Sequence, residues 1–252
     1  MNIFKTIIIF FAIISFSSIA KTVAQLAVGH GDVNASFIKP YHSEYDFFLV
    51  GKDGDLEAGG SWTDKVEIIE KENIRYLKRK VVRFSKLGME ELKRVTIGQH
   101  KTLAPISNHQ SNGESLDVIT FFHFDDKRIS AALIKSASFD IKRLDVTLDQ
   151  APFDLSYWAI LASSLPFEVG YQAALPVYSP GSNKVGWEEF KVIGNESIEI
   201  DNKSYDTFIV EASPSNWKFW LRKEYPYIVK IDHPYGETRA VSFLKYISPE
   251  SD

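Results

Sequence analysis

The sequence predicts a mainly β, α+β fold: a single curved antiparallel half-barrel sheet with one principal helix packed on its concave face. Three observations predict it. Stretches of alternating apolar and polar residues recur along the chain, punctuated by turn dipeptides such as Asp53-Gly54 and Asp201-Asn202. Aromatic residues make up 13% of the chain, which suits rings packed on a pleated surface. One segment alone, residues 154–165, carries a clear helical period.

The elements follow in order. Residues 1–24 hold Lys5, an apolar stretch from Ile7 to Ile14 continuing through Phe16 and Ile19, and then Thr22-Val23-Ala24. This is the pattern of a secretory signal peptide, with Gln25 as the expected mature start. A spanning helix needs about 20 apolar residues. The run here is broken by Ser15, Ser17 and Ser18 and ends at Lys21. The expectation is an exported protein, periplasmic or secreted, with one β-rich half-barrel domain over 25–252 and no membrane span after cleavage; an uncleaved anchor is the alternative.

Residues 25–41 read as an arm leading into the first strand. Residues 45–50 and 56–64 flank the hairpin turn at Asp53-Gly54, because Asp-Gly tolerates positive φ. Residues 66–70 and 74–84 form the next hairpin. In the second of these, Lys78 and Lys80 interrupt the apolar side shared by Ile74, Tyr76, Val82 and Phe84, which suggests a bulge or an edge position. Residues 88–94 read as a short helix or turn, and 94–106 and 117–124 as strands. Residues 118–124 are apolar at both parities, so both faces of that strand are expected to be covered. Asp125-Asp126 turns the chain into 129–135, and Leu144, Val146 and Leu148 mark a half-buried strand. In 154–165, Leu155, Trp158, Ala159, Ala162 and Leu165 fall at helical spacing, with Asp154 as the cap and Pro166 as the stop. Seven further strands are expected between 171 and 246, with turns at Pro180-Gly181, Asp201-Asn202 and Pro234-Tyr235-Gly236. A sheet of ten or more strands must curl, and the helix must pack into the curl.

Composition narrows the function. There is no cysteine, which removes disulfides, thiolate metal ligands, thiol catalysis and a cysteine-borne lipid anchor. The leader holds two lysines and no acid, so the remainder carries a net −6 (27 − 33). That balance gives no general attraction to nucleic acid. The Asn-x-Ser triplets at Asn34, Asn195 and Asn202 matter only in a glycosylating host.

The second half resembles a known family. The residues that carry the likeness are Pro152-Phe153-Asp154, Leu165-Pro166-Phe167-Glu168-Val169-Gly170 and Leu175-Pro176-Val177-Tyr178. Lys191-Val192-Ile193-Gly194-Asn195-Glu196-Ser197 and Asp206-Thr207-Phe208-Ile209-Val210-Glu211 follow. Lys218-Phe219-Trp220-Leu221-Arg222-Lys223 and Tyr227-Ile228-Val229-Lys230 close the series. Their order is similar to an uncharacterised family of exported bacterial domains, which in turn resembles lipoprotein-localisation carriers of the LolA/LolB type. The resemblance spans about residues 102–231. It implies a curved half-barrel plugged by helices and, at best, an acyl-chain cavity; no carrier residue maps onto an arginine here.

Candidate chemistry is sparse. His123, Asp125 and Asp126, with His100 or His109, come nearest to a metal cluster, but a zinc site usually needs three or four protein ligands. The simpler reading is a hairpin tip with a histidine at the rim, so no metal and no cofactor is expected. No Gly-x-Ser-x-Gly elbow is present, and Ser163-Ser164 has no histidine nearby in sequence. Glu90-Glu91 and Glu188-Glu189 point to opposite faces if extended. No catalytic residues are assigned, and the protein is expected not to be an enzyme.

Two surfaces remain. Leu155, Trp158, Phe190, Phe208, Trp217 and Phe219 are candidates to line the concave side, as a closed core or as a cleft for an apolar ligand. Arg75, Lys78, Arg79, Lys80 and Arg83, with Lys86, Lys93 and Arg94, make a dense basic run in which Arg75, Arg79 and Arg83 share one strand parity. With Trp220 these three form a candidate partner surface for an acidic partner or lipid headgroups; a solvated stripe that blocks edge pairing is the alternative. The function expected is a non-enzymatic envelope protein binding a lipid or other apolar ligand. The alternative is an assembly module that meets an envelope protein through edge strands or the basic stripe.

Overall fold

The computed structural model describes residues 23–113, 118–135, 138, 140–179 and 184–249. The Pro180-Gly181 turn and nearly all of the expected leader lie outside the described residues. The strands are β1 (Ala24–Gln25), β2 (Tyr41–Val50), β3 (Leu56–Lys71), β4 (Ile74–Ser85), β5 (Glu90–Gln99), β6 (Pro105–Asn112), β7 (Val118–Asp125) and β8 (Arg128–Lys135). They continue as β9 (Asp140–Thr147), β10 (Gln172–Ser179), β11 (Lys184–Ile200), β12 (Lys203–Ser213), β13 (Trp217–Leu221), β14 (Ile228–Tyr235) and β15 (Thr238–Pro249). Between β9 and β10 lie a 3-10 turn (Leu155–Tyr157) and one helix, α1 (Trp158–Ser164).

All fifteen strands form one sheet in the order β1-β10-β11-β12-β13-β14-β15-β2-β3-β4-β5-β6-β7-β8-β9. Two meanders, β2 to β9 and β10 to β15, are joined where β15 pairs antiparallel with β2. β1 pairs parallel with β10, so the sheet is mixed. The turn residues carry the backbone the hairpins need. Glu72 and Asn73 have φ of 54° and 63°, and Asp201 and Asn202 have 48° and 61°, the paired positive values whose twist matches the flanking strands.

The sheet curls far enough for its ends to meet through side chains. Phe124 and Ile129, from β7 and β8, cluster with Leu148 and with Tyr178 of β10. Phe122 meets Tyr178 edge-on at 6.2 Å. Among the described residues β9 and β1 share no ladder, so the sheet stays open.

The concave side is filled by α1, by the 3-10 turn and by the arm before β2. Asp154 caps this segment as expected, its Oδ1 accepting from the Ser156 N–H at 2.8 Å. The segment is shorter and drier than the sequence suggested. Only seven residues are α-helical, and Ala159 through Ser164 are all buried. The sheet wraps one side, and Leu26, Val33, Ala35 and Ile38 of the arm belong to the same core. Asn34 N–H donates to Ser164 O at 3.0 Å, tying the arm to the last turn of the helix. On the other side Lys223 Nζ donates to Ser163 O and Leu165 O at 2.5 and 2.6 Å, satisfying carbonyls that the helix end leaves open.

A buried ion pair pins the segment to the sheet. Asp64 on β3 and Arg79 on β4 are 0% and 5% exposed. They join through Nε–Oδ1 and Nη2–Oδ2 contacts, each 2.8 Å. Tyr41 Oη donates to Asp64 Oδ2 at 2.9 Å, and Arg79 Nη1 donates to Ser156 O and Tyr157 O at 3.0 and 3.2 Å. The 3-10 turn thus hangs from one guanidinium. Gly98 gives Tyr157 room: a Cβ there would sit 3.1 Å from the Tyr157 hydroxyl, which donates to Leu77 O. Gly60 does the same for Phe47, being at φ +149° with Phe84 O 2.1 Å from an ideal Cβ.

Several elements differ from expectation. β3 is one strand rather than two. The 88–94 segment is a turn followed by β5, which then ends where Leu103 takes φ 54° and turns the chain into β6. β11 runs through Gly194 with a bulge instead of breaking into two strands. β4 is not an edge, because β3 and β5 flank it, although it does carry a bulge at Arg83/Phe84.

Candidate functional site

Two cavities open on the concave face, on either side of Trp158. The larger, about 360 Å³, lies between α1 and strands β2, β3, β4, β5, β13, β14 and β15. The smaller, about 200 Å³, lies under the 3-10 turn at the seam where β7 approaches β10. Arg94, Ser156 and Trp158 line both.

One wall of the larger cavity is a stack of rings. Trp158 lies on Trp217 at 4.9 Å and 5°, and Trp217 lies on His233 at 4.3 Å and 13°. The sequence arranges this simply: Trp217 opens β13, His233 lies on the neighbouring β14, and Trp158 opens α1. Tyr235 extends the wall and packs against Phe47. The opposite wall includes Trp62, held flat on Tyr45 at 3.9 Å and 7° while its Nε1 donates to Ser242 Oγ. Burial lowers the His233 pKa, so this ring is a neutral member of the stack near pH 7.

The remaining wall is cationic. Arg79, Arg83 and Arg94 face the larger cavity from β4 and β5. Arg79 is committed to Asp64; burial alone would lower its pKa, but that carboxylate raises it, so the guanidinium stays charged. Arg83 lies over the Tyr235 ring at 5.8 Å, and its Nε is 3.1 Å from Glu91 Oε2 in an ion pair. Among the described residues Arg94 has no such carboxylate. Its Nε and Nη2 both donate to Gln110 Oε1, at 3.0 and 2.7 Å. Its pKa is lowered by burial and by Arg79 and Arg83, against a pull from Asp154.

Asp154 lies in the smaller cavity. It caps the 3-10 turn and accepts from Asn108 Nδ2 at 2.9 Å, while burial raises its pKa. Asn108 Oδ1 is buried with no hydrogen-bond partner among the described residues.

The structure divides the six expected cavity residues. Trp158, Trp217 and Leu155 line the two cavities. Phe190 and Phe219 are buried in the packed core, at 1% and 0% exposure, and are not open to a ligand. Phe208 packs on Phe167 at 5.0 Å, away from both cavities. The expected partner surface is corrected more sharply. Arg75, Arg79 and Arg83 share a parity, but that parity faces inward: Arg79 is buried, Arg83 lines the cleft, and only Arg75 is exposed. Trp220 is 5% exposed, its Nε1 donating to Glu196 Oε2 and its ring covered by Lys230 Nζ at 4.0 Å; it is packing on the convex face, not an anchor.

Sequence reasoning missed Trp62, Tyr235 and His233, and placed Arg94 in the basic run without setting it apart from the other charges. The signal for Arg94 was weak, since its neighbours Lys93 and Val95 make it look like one more solvated charge.

The candidate metal residues do not assemble. His100 is buried, with Nε2 2.8 Å from Ile38 O, whereas His123 is exposed and His109 stacks on Phe121. Among the described residues no group of three or more histidines and carboxylates is close enough to hold a metal. No helix among them is long and apolar enough to cross a membrane.

A family model described as a protein of unknown function, DUF3108, matches residues 60–242, and the chain belongs to that family. The match runs from Gly60 at the Phe47 contact to Ser242 beneath Trp62, and so takes in nearly all of the cleft. No curated protein matches the chain.

Proposed function

We propose that this family member is an exported, non-enzymatic envelope protein that binds a lipid-like or other apolar ligand in the cleft beside α1. The observation that carries the reading is the cavity of about 360 Å³ walled by Trp62, Trp158, Trp217 and Tyr235. A concave cleft of this size lined by rings is the kind of site that takes a small apolar ligand. A ligand that covered those rings would gain roughly 25 cal/mol for each Å² of apolar surface removed from water.

Two further features support the reading. The leader pattern over 1–24 suits export to the periplasm or beyond. Residues 102–231 resemble an uncharacterised exported family whose own resemblance is to LolA/LolB-type carriers, which would suit carriage of an acyl chain. The test is native mass spectrometry and solvent extraction of the protein purified from the envelope of its own cells. A co-purifying amphiphile that leaves on extraction is the expected result; a ligand-free protein that takes up no added amphiphile overturns the reading.

A second reading has one observation in its favour. β9 (Asp140–Thr147) is the last strand of the sheet, with its outer edge unpaired among the described residues. Such an edge can take a strand from an envelope partner, although Lys142, Arg143 and Asp145 along it are the charges that protect edges. Crosslinking from β9 in the envelope separates the two: a stable partner joined there, with an unoccupied cleft, favours assembly over carriage.

A further inference from the structure

Resting on the cleft reading, we infer that the ligand is an anionic amphiphile whose oxyanion head is held by Arg94 and whose apolar tail lies along the Trp158–Trp217–His233 wall.

The contact Arg94 makes is incomplete. A guanidinium offers five N–H donors along two edges. On Arg94 the Nε and Nη2 edge is used on a single neutral oxygen, Gln110 Oε1. Gln110 is itself held in that orientation, because its Nε2 donates to Asn112 Oδ1 at 2.9 Å. Among the described residues Nη1 has no partner and no carboxylate comes within ion-pairing distance of Arg94. Arg94 is half-buried, and a cation even partly withdrawn from water is normally paired with a counter-charge.

The carboxylates nearby are already engaged. Asp64 is held by Arg79 and Tyr41, and Glu91 by Arg83. Asp154 attracts Arg94, but its oxygens accept from Ser156 N–H and Asn108. Arg94 lines both cavities, so an anion bound there can lay its tail along the aromatic wall of the larger one, whereas the smaller is lined by Asp154, Asn108 and Gln110. Arg83, on the neighbouring strand and lining the larger cavity, is the second cation the head would meet. Carboxylate and phosphate satisfy this geometry equally, because both match a guanidinium edge with two oxygens.

The test uses the mature protein and three amphiphiles of one chain length: palmitate, 1-palmitoyl lysophosphatidylglycerol and hexadecanol. Binding is read by tryptophan fluorescence. Wild type should bind at least one of the anions about tenfold to a hundredfold more tightly than the alcohol, the scale of a charge-assisted hydrogen bond; whichever anion is preferred identifies the head as carboxylate or phosphate. Arg94→Gln should bring the anions down to the affinity of hexadecanol and leave hexadecanol unchanged, and Arg94→Lys should keep part of the preference. Equal binding of all three by wild type overturns the anionic head while leaving the apolar cleft in place. An Arg94→Gln variant that keeps the full preference overturns the role of Arg94. If nothing binds wild type, the cleft reading itself falls, and the inference with it.

Discussion

Breaking the Asp64–Arg79 pair should loosen the whole concave plug. Both partners are withdrawn from solvent and share two 2.8 Å contacts. Asp64→Asn leaves a buried guanidinium facing a neutral amide, a change that typically costs about 3–5 kcal/mol. Against a domain stability of about 5–15 kcal/mol, that is a large share. Arg79→Met should fall in the same range, because it strands the Asp64 carboxylate and also removes the donor to Ser156 O and Tyr157 O. The double variant Asp64→Asn/Arg79→Met carries no stranded charge, so its loss should be about 2–3 kcal/mol smaller than the sum of the single losses. Urea unfolding followed by tryptophan fluorescence supplies the four free energies. Single losses below about 1 kcal/mol, or additivity within about 0.5 kcal/mol, would refute the reasoning. Because Arg79 holds the peptide just before Trp158, the single variants should also weaken the circular-dichroism couplet of the Trp158–Trp217 stack.

Three further outcomes follow from the same geometry. Trp158→Ala should abolish that couplet, join the two cavities and cost about 2 kcal/mol, roughly half the value for a fully buried tryptophan because Trp158 is half-buried; an unchanged couplet would show that the rings do not stack. Burial lowers the Lys223 pKa from 10.5 to about 8, so stability should rise as the pH goes from about 8 towards 10.5. A side-chain NMR titration of Lys223 should show a midpoint near 8, and one near the ordinary lysine value would contradict its burial against the helix end. Burial also lowers His100 below its usual 6.5, so the stability it supports is complete above that pH and drains away as the pH falls further. The urea midpoint of His100→Gln should therefore fall less than that of wild type between about pH 7 and pH 5; equal falls would show that His100 does not carry this loss.

The strands with clean alternation were legible, and so were their turns. Glu72-Asn73 and Asp201-Asn202 adopt the backbone such turns demand, and Asp154 caps the segment it was expected to cap. What local pattern hides is closure. A run such as 155–165 shows an apolar face to a sequence reader, but the curled sheet and the arm bury its other side as well, including Ser163 and Ser164, whose hydroxyls donate back to Ala159 O and Leu161 O. β6 was missed because its polar residues Ser107, Asn108, Gln110 and Ser111 lack an apolar alternation, yet Asn108 and Ser111 point into buried space.

The site was half legible for a related reason. Parity placed Arg75, Arg79 and Arg83 together correctly, but it cannot tell a solvated face from a cleft wall. Only the register that sets Trp62 opposite Arg83, and the helix above them, decides that the stripe looks inward. Arg94 depends on the same information, because its meaning lies in its having no carboxylate partner among the described residues. Trp158 and Trp217 were found by their size and spacing. Phe190 and Phe219 share that chemistry but pack in the core, and Phe208 packs against it on Phe167; sequence has no means of separating these from the cleft rings.

The most direct test of the account is a crystal structure of the protein soaked with a brominated fatty acid. The account predicts anomalous bromine density in the larger cavity, beside Trp158, Trp217 and Tyr235, with the carboxylate at Arg94. Bromine bound on the convex face or along β9, with the cavity holding only water, would contradict it.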